Sequence, residues 1–118
     1  MLSLPSSVRI FLCLQVADMR RSFDGLAQMV EEFLGADPLS GHLFVFQNRR
    51  GDRLKILYYD RDGYAIWYKR LEAGTFRFPR ANEGSIQVTP TELSMLLEGI
   101  DLKRVKKRRR YKNTIHRT

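Results

Sequence analysis

Cysteine and histidine are scarce: Cys13, His42 and His116 are the only ones in 118 residues. A single thiol rules out an internal disulfide, a zinc knuckle and a CxxC redox pair, and a reducing, cytoplasmic setting is the expectation. Cys13 lies in an apolar segment and reads as a core side chain. Two histidines, one before a strand and one near the C-terminus, make a poor metal pair. Long apolar runs are missing as well. Ile10-Phe11-Leu12-Cys13-Leu14 falls far short of the ~20 residues a spanning helix needs. Arg9 beside this run and the charged residues after it argue against a signal peptide, so no membrane partner is expected. Gly35, Gly41, Gly51, Gly63 and Gly74 are spaced as turn markers and form no phosphate-cradling loop. No serine sits in a Gly-x-Ser-x-Gly elbow. Asp60 and Asp62 straddle a turn, where carboxylates more commonly shape the backbone than bind metal. The residues predict no enzyme, no cofactor and no metal.

What is present is positive charge, and it is unevenly placed. The net charge is +8, from 21 Lys and Arg against 13 Asp and Glu. Residues 103–118 hold nine basic residues and no acid, so the preceding 102 carry a net −1. Within that body, residues 49–80 carry +5 while the flanking stretches are negative. Two basic zones on a nearly neutral body point to a polyanionic partner more than a uniformly high pI would. The length suits one core. We expect a single domain over residues 1–102 and a basic arm over 103–118, where apolar residues are almost absent.

The hydrophobic pattern predicts the elements. Residues 8–15 are rich in β-branched and aromatic types and read as a strand. Asp18 stands as an N-cap for a helix from Met19 to Leu34, with Phe23, Leu26, Ala27, Val30, Phe33 and Leu34 on one stripe. Gly35 and Asp37-Pro38 end it. A meander follows: Leu43–Gln47, Asp52–Tyr59 and Tyr64–Leu71, joined by turns at Asn48–Gly51 and Asp60–Gly63, with glycine expected to supply positive φ. Phe76–Pro79 reads as a short edge piece and Ser85–Val88 as a last strand. Thr89-Pro90-Thr91-Glu92 is a capping box with proline at N1, opening a helix that carries Leu93, Leu96, Leu97 and Ile100. The expected fold is α+β: a mostly antiparallel sheet of four or five strands packed with two helices.

A plain hairpin pairing Tyr59 with Tyr64 divides the sheet into two faces. Leu54, Ile56, Tyr58, Ala65, Trp67, Lys69 and Leu71 form a core-like face. Arg53, Lys55, Leu57, Tyr59, Tyr64, Ile66, Tyr68 and Arg70 form the other, mixing rings and cations as a nucleic-acid surface does. Phe44 and Phe46 join this mixed face, so a helix should cover part of it. Arg49 and Arg50 sit on the first turn, where guanidinium suits phosphate. The candidate nucleic-acid contacts are therefore Arg49, Arg50, Arg53, Lys55, Lys69 and Arg70. The arm adds Lys103, Arg104, Lys106, Lys107, Arg108, Arg109 and Arg110, which would gain affinity by counterion release.

Several stretches carry a family resemblance. They are Asp18-Met19-Arg20-Arg21-Ser22-Phe23-Asp24-Gly25-Leu26, Ser40-Gly41-His42-Leu43-Phe44-Val45-Phe46 and Asn48-Arg49-Arg50-Gly51-Asp52-Arg53-Leu54-Lys55-Ile56-Leu57-Tyr58. Asp62-Gly63-Tyr64-Ala65-Ile66-Trp67-Tyr68-Lys69-Arg70-Leu71-Glu72 and Leu93-Ser94-Met95-Leu96-Leu97-Glu98-Gly99-Ile100-Asp101 complete the pattern. In this collinear order the chain resembles the second-reading-frame (TnpB) protein of insertion sequences of the IS sixty-six type. The resemblance implies a small accessory protein beside a separate transposase that holds the catalytic carboxylates, and it supplies no catalytic residues to carry across. The resulting expectation is a non-catalytic transposition accessory protein that binds DNA or organises the transposase complex. The alternative is a protein–protein adaptor of the transposase with little direct DNA contact.

Overall fold

A computed structural model describes residues 5–79, 81 and 83–99. The element order is β1 (Ile10–Cys13), α1 (Phe23–Leu34), β2 (Leu43–Gln47), β3 (Arg53–Asp60), β4 (Gly63–Arg70), β5 (Ser85–Val88) and α2 (Pro90–Leu97). The five strands form one sheet in the order β4-β3-β2-β1-β5. Only the β1–β2 pair is parallel, since α1 crosses between those neighbours; the other pairs are antiparallel. The fold is α+β, with a five-stranded, mostly antiparallel sheet and two helices.

The register of the β3–β4 hairpin follows the hydrophobic alternation. Tyr59 pairs with Tyr64, Leu57 with Ile66, Lys55 with Tyr68 and Arg53 with Arg70. The two helices cover opposite faces of the sheet. Leu26, Ala27, Met29 and Val30 of α1 pack on Cys13, Phe44, Phe46 and Leu57, so the predicted helix cover over the mixed face is α1. Leu93 and Leu96 of α2 pack on Ile10, Leu12, Leu43, Val45, Leu54, Ile56, Val88 and Phe76, with Trp67 partly buried at the edge. Burying both faces at about 25 cal/mol per Å² of apolar area is the main force holding the layers together.

Three local expectations need correction. Helix α1 begins at Phe23, with Ser22 in the N-cap position and no side-chain cap bond. Asp18 instead closes a turn ahead of the helix: its carboxylate accepts from Arg20 N (2.9 Å) and its carbonyl from Arg21 N (3.0 Å). This is the local bonding by which aspartate competes with helix. Phe76–Pro79 is no strand. Phe76 is buried by its side chain, and its amide donates to Gly51 O at 2.7 Å, so this is a loop docked on a turn. In the second hairpin Arg61, at φ +57°, carries the positive φ expected of Gly63. The readings of Ile100 and of the arm beyond it lie outside the described residues. The capping box forms as read, with Thr89 N donating to Glu92 Oε1 (2.9 Å) and Glu92 N to Thr89 Oγ1 (3.1 Å).

Candidate nucleic-acid interface

The arginine turn between β2 and β3 is built by Asn48. Its carboxamide donates to Asp52 Oδ1 (2.7 Å) and accepts from Arg53 N (3.0 Å), and its carbonyl accepts from Gly51 N (3.1 Å). Gly51 sits at φ +75°, and a Cβ there would meet Thr75 Cβ at 3.4 Å. The left-handed backbone is what calls for glycine here, while the Thr75–Phe76 loop packs alongside at ordinary contact distance. Gly51 O is held by Phe76 N and Asp52 O by Leu71 N (2.8 Å). The backbone of the turn is thus fixed on several sides, while Arg49 and Arg50 stay exposed. Such a turn presents two guanidinium groups without having to be ordered on binding, which lowers the entropic cost of association.

The facing wall is the segment from Gln15 to Arg21, which leaves the carboxyl end of β1. Ala17 N donates to Gln47 O at 2.9 Å and ties this segment to the end of β2. Lys55 fixes the rest. Its ammonium donates to Met19 O and to Arg21 O, both at 2.8 Å, and lies 4.8 Å from the centroid of the Tyr68 ring. Lys55 is only 8% exposed. Sequence alternation correctly puts it on the α1 face, but its charge is spent inside the protein on two backbone carbonyls and a ring.

Between these walls runs a groove of about 630 Å³ lined by Val16, Asp18, Met19, Arg21, Met29, Phe33, Asn48, Arg49, Arg50 and Arg53, among others. The structure therefore gathers Arg49, Arg50 and Arg53 and adds Arg21, which sequence reading missed. Arg21 comes from a segment 28 positions before Arg49, and no periodicity links the two. Its place depends on Gly25: Arg21 Nη1 donates to Gly25 O at 3.2 Å, and a Cβ on Gly25 would lie 3.1 Å from Arg21 Cβ. Asp18 is the acid of this lining, and it is neutralised locally. Arg20 donates to it through Nε (3.0 and 3.1 Å) and Nη2 (2.6 Å), and this holds the Asp18 carboxyl down at about 2. Asp52 beside the turn is also lowered, first by the Asn48 hydrogen bond and then by Arg50 and Arg53. Both carboxylates therefore stay ionised into acid, each beside an arginine, while the guanidinium groups keep their charge throughout.

Arg53 also lines a second, smaller recess of about 360 Å³ with Tyr68, Arg70 and Glu72. Arg53 Nη1 donates to the Tyr68 hydroxyl at 3.0 Å, and Arg70 Nε to Glu72 Oε2 at 3.1 Å. These partners make it tolerable for Arg53 and Arg70 to face each other across the ladder, where like charges are unfavourable. Lys69 projects on the opposite, α2 face and is exposed, in a recess with Leu97 and Gly99. Arm residues Lys103, Arg104, Lys106, Lys107, Arg108, Arg109 and Arg110 lie outside the described residues.

Cys13 and His42 are both engaged within the fold. Cys13 is buried, and burial pushes its thiol pKa up, away from the reactive thiolate. His42 Nδ1 accepts from Arg9 N at 3.0 Å, and its ring packs edge-on against Phe11. No group of three or more His, Cys, Asp or Glu among the described residues is arranged to hold a metal ion. None of the described helices is long and apolar enough to cross a membrane.

Comparison with known proteins places this architecture in a lineage. No solved structure matches the chain. Two proteins of Sinorhizobium fredii (strain NBRC 101917 / NGR234) are similar along most of their length. The uncharacterized protein y4jC is 41% identical over 101 residues, 86% of each chain. The uncharacterized protein y4hO is 44% identical over 100 residues, 83% of this chain and 87% of its own. The family model described as IS66 Orf2 like protein matches residues 8–107, which takes in the whole sheet, both helices and every residue of the arginine groove. The chain belongs to the IS66 Orf2-like (TnpB) family of transposition-associated accessory proteins.

Proposed function

We propose that this protein is a non-catalytic, cytoplasmic accessory factor of transposition that binds DNA directly through the arginine groove. The observation that carries the reading is the convergence of Arg21, Arg49, Arg50 and Arg53 on one groove, two of them on a turn rigidified by Asn48. Guanidinium groups in a concave setting match phosphate oxygens in bidentate geometry. The groove lies just past the carboxyl ends of the parallel strands β1 and β2, where open sheets with crossover helices commonly hold their ligands. Arg70 extends the basic surface through the recess it shares with Arg53. The arm from Lys103 to Arg110 adds sequence-independent attraction by counterion release. Lys55 is left out of the contact surface because its ammonium is already paired, and Lys69 because it lies on the far face.

A second reading, a protein–protein adaptor of the element's transposase, draws on exposed Phe23 and Leu39, neither of which lines the groove. One experiment separates the two: binding of the purified chain to element-end and random duplex DNA across a salt series, with and without transposase. Direct binding with a steep salt dependence supports the DNA reading. Binding that appears only when transposase is added supports the adaptor.

A further inference from the structure

The two arginine-lined recesses share Arg53, and each carries an exposed aromatic ring. Phe33, 42% exposed, stands in the wall of the larger groove, and Tyr68, 47% exposed, in the smaller one. Arg53 lines both and donates to the Tyr68 hydroxyl. Arg53 thus belongs both to the arginine set that includes Phe33 and to the one that includes Tyr68. A face specialised for intact duplex has no use for the rings, because duplex bases are stacked on each other and only phosphates and groove edges are presented. Cationic grooves with flanking rings are the means by which single strands are held: the arginines follow the backbone and unstacked bases lie on the aromatic faces. Tyr68 is prepared for this role. Lys55 Nζ sits 4.8 Å from its ring centroid and Arg53 holds its hydroxyl, so the ring is fixed before any base arrives.

We infer that the composite groove takes single-stranded DNA, with phosphates on Arg49, Arg50 and Arg53 and bases on Phe33 and Tyr68. This rests on the nucleic-acid reading above and narrows it to unpaired strands, such as those exposed when the end of an element is opened. The test uses the full chain and fluorescence anisotropy with a labelled single-stranded oligonucleotide of about 12 nucleotides and the matching duplex. Phe33→Ala and Tyr68→Ala should each weaken single-strand binding by about 5- to 100-fold, the range seen when base–aromatic stacking is removed. Duplex binding by the same variants should fall by a clearly smaller factor, since no base stacks on the rings there and only the seating of Arg53 is loosened. Both side chains are well exposed, and Phe33→Leu and Tyr68→Leu, which keep apolar bulk without a ring, should fail like the alanine variants. Equal binding of both DNA forms by the parent, or aromatic variants with undiminished single-strand affinity, overturns the inference while leaving the DNA reading in place. Absence of binding to either form overturns both.

Discussion

Lys55 Nζ donates to Met19 O at 2.8 Å, joining the middle of β3 to the loop that forms the opposite wall of the arginine groove, 36 positions earlier in the chain. A second bond to Arg21 O makes the ammonium a bracket between the walls. A basic residue read from the sequence as a nucleic-acid contact is thus held between the walls and shapes the groove.

Replacing Lys55 by methionine keeps the aliphatic stem and removes the bracket. Two carbonyls lose a charged donor, and urea unfolding should register a loss of about 1–3 kcal/mol. DNA affinity should fall because Arg21 is no longer held, yet the salt slope should stay near that of the parent, since Lys55 itself touches no phosphate. A reduced slope with full stability would mean that Lys55 contacts DNA after all.

The α2 face offers a second stability test. Leu96 is fully buried against the sheet, whereas Trp67 packs on the same cluster while partly open. Leu96→Ala should cost about 2–5 kcal/mol, and Trp67→Ala about 2–4 kcal/mol because less of the ring is buried. Loss of the order Leu96 above Trp67 in thermal or urea unfolding would argue that α2 does not seat here.

Arg61 is the one non-glycine residue at positive φ among the described residues. Its φ of +57° costs a side-chain-bearing residue about 1–2 kcal/mol, against about 0.5–1 kcal/mol of added chain entropy for glycine. Arg61→Gly should therefore raise stability by roughly 0.5–1 kcal/mol. It should leave DNA binding alone, because the turn is at the far end of β3 from the arginine groove.

Asp18 gives a pH signature. Its carboxyl is held at about 2, below the usual 3.8, chiefly by the Arg20 hydrogen bonds. The folded value is the lower one, so whatever the pair contributes is present above the ordinary carboxylate value and is lost as pH falls through about 2. In an NMR titration Arg20→Ala should move the Asp18 midpoint back toward the ordinary range. A midpoint that does not move would mean the pair does not persist in solution. The same variant should weaken DNA binding at neutral pH, since an unpaired carboxylate then faces phosphate.

Most of the fold could be read because it follows local rules. Alternation from Arg53 to Arg70 gave the hairpin register, and Thr89-Pro90-Thr91-Glu92 announced α2 through its capping box. Placing Phe44 and Phe46 on the mixed face required a helix there, and α1 supplies it. What escaped was decided by one competing local bond and by tertiary contacts. Helix α1 starts at Phe23 because Asp18 spends its carboxylate on Arg20 N and a turn. Phe76 reads as strand by residue type but is held by Gly51 instead. The site divided along the same line. Arg49 and Arg50 were visible as a basic turn, whereas Arg21 joins them only through the fold, and Lys55 leaves the surface only because two distant carbonyls lie within its reach.

The most direct measurement is DNA affinity as a function of salt for the parent and the Arg49→Ala, Arg50→Ala double variant. Both side chains are exposed on a turn whose backbone is fixed by Asn48, Leu71 and Phe76, so stability should stay within ~0.5 kcal/mol. Affinity should fall most at low salt. The slope of log affinity against log salt should flatten by about 0.9 for each phosphate no longer neutralised on duplex DNA, or about 0.7 on a single strand. A correctly folded double variant that binds with the parent's affinity and slope would contradict the arginine groove as the DNA site.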